Sequence, residues 1–333
     1  MAELPTGNKR SLLFLILAML LVCAASLRVG PMATDWATVW HGLLGDAEAQ
    51  YVLLVRDVRL PRLVLGLMVG SGLGVAGLVL QGLLGNPLAG PYTLGFSGGG
   101  AFGASLMILL GLGGMWVMFG AVGGVALCVV GLWLLAGRRN FSPRDMVLAG
   151  IVVGAIFSAL LSLVKVVSGD SLTAIVFWIL GSLSGRGWRE VSLLLPFWLV
   201  GLTGIVLRIG VLDSLSLGDE FAHSAGVDVG RSRRLLLLYV SLLTGGCVAV
   251  SGVIGFVGLV VPHCLRMLMG PVHQRLIFPV IVGGGGLLVL GDMGSRWLGR
   301  YGDVPVGVLM ALLGGPFFCW LLLYSNRETM GEG

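Results

Sequence analysis

Few side chains in this 333-residue chain could make or break bonds, and their spacing argues against it. A P-loop needs a lysine directly after a glycine to hold phosphate. The only lysines are Lys9 and Lys165, and neither follows a glycine. Any ATP that powers this chain is therefore hydrolysed by another polypeptide. GLGVAG, Gly72 to Gly77, matches the GxGxxG dinucleotide pattern, but that pattern has meaning only between a strand and a helix of a soluble sheet. His41, His223, His263 and His273 lack ligand spacing, and Cys23, Cys128, Cys247, Cys264 and Cys319 stand singly in apolar segments. No metal site or disulfide framework is assigned. No catalytic cluster of His, Asp or Glu is present, so no enzyme activity and no cofactor are expected.

The elements that position the remaining polar residues are set by composition. Hydrophobic residues make up 56% of the chain and charged ones 11%, against about 25% charge in soluble domains. Apolar runs of about 18 residues or more are membrane-span candidates. They lie near 11–27, 61–84, 115–136, 146–167, 191–210, 235–254, 276–295 and 305–324, and glycine-broken runs near 92–110 and 256–269 bring the expected number to ten. The first run, after Lys9 and Arg10, fits both a secretory signal peptide and a retained helix, and is read as retained. The fold class is all-α and polytopic, a single membrane domain over 1–333.

Basic residues in short loops place both termini in the cytoplasm with a slight bias. The +5 net charge shows no basic run interleaved with aromatics, so lipid rather than nucleic acid is the expected contact. Several arginines then lie outside, against the usual bias. Arg59 and Arg62 in RDVRLPR, with Arg296, either snorkel at helix ends or form a docking surface for an acidic partner. Lys165 and Asp292 both fall near span ends, which disfavours an ion-coupled carrier, because such carriers place ionisable groups near the midplane.

The longest polar interruption, 213–234, contains GDEFAHSAGV. Phe221, Ala222 and Ala225 have helical spacing, and Asp219 and Glu220 fall in a first turn where the helix dipole favours them. A short amphipathic helix on the cytoplasmic side is expected. The stretch Gln81 to Ala104 breaks a helix where membrane is expected, so it must be buried or line a path. Its counterpart SGVIGFVGLVVPHCLRML, 251–268, lies at the opposite face, the placement an inverted repeat of helices 2–5 and 7–10 would produce.

Taken together, RLPRLVLGLMVGSGLGVAGLVLQGLLGNPLAGPYTLGFSGGG (59–100), FWILGSLSGRGW (177–188), LGDEFAHSAGV (217–227), 251–268 and DVPVGVLMALLGGPFF (303–318) resemble the FecCD family, permeases of iron-chelate and cobalamin ABC importers. The resemblance implies ten helices and a homodimer with its path at the subunit interface, in a bacterial or archaeal cytoplasmic membrane. It also implies two cytoplasmic ATP-binding subunits and an external substrate-binding protein. Gly218, Asp219, Glu220, Phe221, Ala222 and Gly226 would form the coupling helix that contacts the ATPase. Arg59, Arg62 and Arg296 would meet acidic residues of the binding protein. Asn86 and Leu88 would form a cytoplasmic gate. Pro143 and Arg144 depart from the small hydroxyl residues that complete this gate in cobalamin members, and the reading leans to an iron chelate, a siderophore or haem. The rivals are cobalamin and, from another class, an ion-coupled secondary transporter.

Overall fold

Hydrocarbon offers no partner for a free N–H or C=O, so an apolar chain crosses it as helix. In the computed structural model, which describes residues 6–30, 32, 34–137, 141–299 and 304–329, those residues form helices and no strand. They run α1 (Thr6–Arg28), α2 (Trp36–Leu44), α3 (Ala49–Leu53), then a π-helical stretch Leu54–Arg59 into α4 (Leu60–Leu84), α5 (Phe96–Leu109), α6 (Met115–Ala136) and α7 (Pro143–Val167). After these come α8 (Leu172–Ile179), α9 (Trp188–Val206), α10 (Ile209–Ser216), α11 (Asp219–Ser224), α12 (Val229–Ser251), α13 (Val257–Met269), α14 (His273–Leu298) and α15 (Val306–Thr329).

Each expected span falls on a helix. Among the described residues, seven helices are long and apolar enough to cross a membrane: α1, the continuous α3–α4 segment, α6, α7, α9, α12 and α14. The two glycine-broken spans are different. α5 has 14 residues and α13 has 13, about 20 Å of helix each at 1.5 Å per residue, well short of a hydrocarbon core of about 30 Å. Irregular chain at 85–95 and 252–256 covers the remainder.

Left-handed residues make both breaks. α4 ends at Gly85 (φ 58°), and Gly95 (φ 79°) precedes α5. α12 ends at Gly252 (φ 70°), and Phe256 (φ 67°) precedes α13. A left-handed phenylalanine is strained. Its ring lies over Gly314 and 6.4 Å from the Phe318 ring, so α15 holds it there. The partner scheme is also shared between the halves. α4 packs on α13 and α14, and α12 on α5 and α6; α5 packs on α6 and α7, and α13 on α14 and α15. This is the pattern expected of an inverted repeat.

The packing depends on backbone contact. Without water between them, membrane helices associate through small residues that let their backbones approach. A Cβ on Gly77 would lie 1.7 Å from the Gly258 carbonyl oxygen, so α4 and α13 meet backbone to backbone. GLGVAG is thus a packing face. Gln81, buried on the next turn of α4, donates from Nε2 to the carbonyls of Gly258 and Leu259 at 3.4 and 3.3 Å. Gly77→Ala is expected to lower the thermal midpoint of the detergent-solubilised protein by the equivalent of about 1–3 kcal/mol. Gly123→Ala, where a Cβ meets nothing within 4 Å, should leave it unchanged. Matching midpoints for the two variants would show that α4 and α13 part freely.

Candidate functional site

One face of the bundle gathers the end of α4, the start of α7, the pair α10–α11 and the α13–α14 turn around a groove of about 1050 Å³. Asn86, Pro143, Asp219, Arg233 and Arg266 are among its lining residues. Asn86 closes a tight turn, its Oδ1 accepting from the Leu88 N–H at 2.9 Å. Ser142 caps α7 by accepting from the Asp145 N–H at 3.2 Å, with Pro143 at the first helical position, where its missing N–H costs nothing. Leu88 and Arg144 are exposed and do not line the groove.

The short helix expected from GDEFAHSAGV is α11. Gly218 (φ 108°) turns the chain into it, and Gly226 (φ 80°) turns the chain out. Asp219 receives both terminal nitrogens of Arg233, at 3.0 and 2.6 Å, and Arg233 is buried in α12. Ala222 is fully buried beneath the helix, while Phe221 is 50% exposed and Glu220 is exposed beside it. The preceding α10 is fastened as well. Asp213 accepts from the His273 N–H (2.7 Å), the His273 ring Nδ1 (2.8 Å) and the Gln274 N–H (3.2 Å), capping α14. Burial alone would raise the Asp213 carboxyl, but these bonds outweigh it and hold it below its ordinary value.

At the opposite face, the arginines read as a docking trio are largely structural. Arg59 donates to the carbonyls of Leu27 (2.7 Å), Arg28 (3.2 Å) and Met32 (2.6 Å) and to Thr34 Oγ1 (2.5 Å), satisfying the open end of α1. Arg296 donates to the Ser26 and Val29 carbonyls at 2.8 and 2.5 Å and to Ser26 Oγ at 2.6 Å. It also pairs with Asp292 at 3.0 Å, and Asp292 in turn takes Arg62 at 2.8 Å. With Arg59 5% and Arg296 8% exposed, neither offers a free charge to a partner in this conformation. Arg28, whose carbonyl Arg59 holds, and Arg56 are exposed on this face. Asp292 and Arg296 stand four apart on one helix, and that spacing was the sequence signal for an internal pair.

Between the faces, two cavities follow one side of the bundle. The first, about 370 Å³, lies between α8 and the start of α15, with Arg62, Arg186, Arg296, Ser182 and Phe177 in its wall. The second, about 610 Å³, is lined by Tyr92, Leu180, Gly255, Phe256, Leu259 and Ala311. Backbone bonds fix this wall. The Ser182 N–H donates to the Ser251 carbonyl at 2.8 Å, and the Gly307 N–H to the Gly181 carbonyl at 3.1 Å. Tyr92 belongs to the segment that starts at Asn86, so the stripe runs from the arginine cluster toward the groove.

The sequence pattern of the FecCD transport family matches residues 16–324. The chain is 35% identical over 333 residues to the Fe(3+)-citrate import system permease protein YfmE of Bacillus subtilis, spanning 98% of this chain and 100% of that one. It is 36% identical over 328 residues to the vitamin B12 import system permease protein BtuC of Vibrio cholerae, spanning 96% and 95%. Among solved structures it resembles one described as an inward-facing conformation of a metal-chelate type ABC transporter. That match has a TM-score of 0.86 and 29% identity, covering 95% of this chain and 99% of the other.

The site geometry makes Asp292 the hub of the arginine face. Asp292→Asn leaves two arginines facing each other without their shared carboxylate and should cost about 3–5 kcal/mol. Thermal unfolding in detergent measures this, and a midpoint equal to wild type would show that the arginines are paid for by other partners.

Proposed function

The chain belongs to the FecCD transport family, multi-pass membrane permease subunits of metal-chelate and cobalamin-type ABC importers, and from that premise we propose that it carries an iron chelate, a siderophore or haem, into the cell. In this reading two copies form the path between them, two separate ATP-binding subunits drive it, and an external binding protein delivers the substrate. Both termini and the α10–α11 face lie in the cytoplasm. Asn86 and Leu88 stand at the inner gate, beside Pro143 and Arg144.

One observation carries the coupling role. Phe221 is a half-exposed aromatic side chain on a helix clamped through Asp219 to buried Arg233. A push on Phe221 passes through that pair to α12, and α10 is tied by Asp213 to α14. Motion of an ATPase cleft is thereby delivered to two long helices of the bundle.

The similarity to an Fe(3+)-citrate permease supports an iron chelate. Cobalamin is the second reading, supported by the similarity to a vitamin B12 permease. An ion-coupled carrier fits less well, because Asp292 is held between Arg62 and Arg296 and is not free to relay a proton. For docking of the binding protein, the face that carries Arg59, Arg62 and Arg296 is retained, with Arg28 and Arg56 as its exposed charges.

Phe221→Asp should weaken association with the ATP-binding subunits by roughly thirtyfold, the loss typical of a buried interface anchor of about 2 kcal/mol, and abolish substrate-stimulated hydrolysis. Co-purification and stimulated ATPase activity at wild-type levels would remove Phe221 from this role.

A further inference from the structure

Among the described residues, the cavity between α8 and the start of α15 is lined by three guanidinium groups, those of Arg62, Arg186 and Arg296, and by no carboxylate. Asp292 lies behind and serves two of them. Arg62 donates to it from Nε at 3.0 Å and from Nη2 at 2.8 Å, and Arg296 pairs with it at 3.0 Å. Arg186 has no share in that carboxylate. Its Nε is buried without an acceptor. Glu190, four residues on, has its Oε2 engaged by the Gly187 N–H at 2.8 Å and offsets only part of the burial that depresses the Arg186 guanidinium. A guanidinium keeps its proton under these conditions, so the site remains cationic and incompletely solvated.

Such a site is stabilised by an anion with two oxygens in one plane, which a guanidinium fork binds bidentately. The Ser182 and Ser184 side chains, in the same wall, add neutral polar groups at its edge. Its position bears on the source of the anion. The cavity is recessed between two helices and continues toward the one lined by Tyr92 and Phe256, whereas the exposed Arg56 and Arg189 lie outside its lining. A recessed site on the route suits a travelling ligand better than a side chain of a docked protein.

We propose that Arg186 forms a carboxylate subsite at the outer mouth of the path, and that the permease selects iron chelates bearing free carboxylates, of the ferric-citrate or haem type, over neutral ferric hydroxamates. This rests on the iron-chelate reading above. Arg62 and Arg296, locked to Asp292, supply background potential, and Arg186 supplies the direct contact. In a homodimer the two subsites would face each other across the path, matching a chelate with two carboxylates.

The test is uptake into proteoliposomes holding the full chain with its ATP-binding and substrate-binding subunits, using ferric citrate, haem and the neutral hydroxamate ferrichrome as probes. Arg186→Gln should reduce uptake of ferric citrate and haem about tenfold, the effect of one charge-assisted hydrogen bond, and leave ferrichrome unchanged. Arg186→Lys should recover part of the loss because the charge returns without the fork. Equal loss for all three probes would make Arg186 a structural residue and overturn the proposal, as would no loss for any. Weaker association of the binding protein with unchanged selectivity among chelates would assign the carboxylate to that protein instead. Ferrichrome uptake that matches or exceeds that of the anionic probes in the wild type would sink the subsite while leaving the iron-chelate reading standing. Uptake of cobalamin alone would overturn that reading itself.

Discussion

Everything in this bundle answers to the absence of water around its backbone. A helix satisfies its own N–H and C=O groups, and a break in a helix does not. This chain breaks twice at membrane depth, over 85–95 and 252–256, and both times the freed groups find partners within a few residues or across a close contact. Thr93 Oγ1 donates to the Gly90 carbonyl, and Cys128 Sγ to the Gly95 carbonyl at 3.1 Å. The Ser251 carbonyl takes the Ser182 N–H. Partners can come this near only because neighbouring positions carry no side chain. A Cβ on Gly181 would lie 2.4 Å from the Val253 carbonyl oxygen, and one on Gly252 would lie 2.2 Å from that of Trp178. The glycine content is therefore the condition under which an interrupted helix survives in lipid, and the interrupted helices in turn shape the stripe of cavities.

The same constraint explains why the polar side chains behave as fasteners. Arg59 and Arg296 each satisfy carbonyls at or just beyond the end of α1 and so bind that helix to α4 and α14. Asp213 does the equivalent for the first turn of α14, and Asp219 for α11 against α12. The α1 and α14 fasteners join segments far apart in sequence and the Asp219–Arg233 pair joins consecutive helices, so the bundle resists internal shear and is suited to moving as a body when pushed at one end. Rigid-body rocking of such units is the general mechanism of alternating access.

The sequence made the spans legible because long apolar runs need no tertiary information. It made α11 legible because Asp219, Glu220 and Phe221 follow a glycine in the order that starts a helix. The coil before α5 was legible from glycine and proline and that before α13 from glycine, but the true length of the two helices was not, since that depends on where left-handed residues fall, and one of those is Phe256. The internal partners of Arg59 and Arg296 were not legible because the acceptors that bury them are largely backbone carbonyls, which leave no mark in composition. Arg186 was legible only as one more external arginine. What distinguishes it is that it lines the cavity with no share in Asp292, a property of three-dimensional surroundings and of no local pattern.

The distribution of charge along the stripe constrains the energetics of transport. The outer cavity is lined by arginines, the cavity below it by Tyr92, Leu180, Phe256, Leu259 and other uncharged residues, and the groove at the far face by Arg233, Arg266, Asp213 and Asp219. On the proposed reading, an anionic chelate drawn to these arginines faces an interval with no counter-charge among the described residues. In a region of low dielectric that interval is a barrier, and its described lining holds no carboxylate, histidine or lysine to lower the barrier by coupling to a proton. The barrier must be removed by rearranging the wall itself, which consists of α8, α13 and α15 and the turn at Tyr92. α13 is packed on α4 and α14, and α14 is fastened through Asp213 to α10 beside α11. If α11 is the coupling helix proposed above, work applied there reaches the uncharged stretch of wall through these contacts.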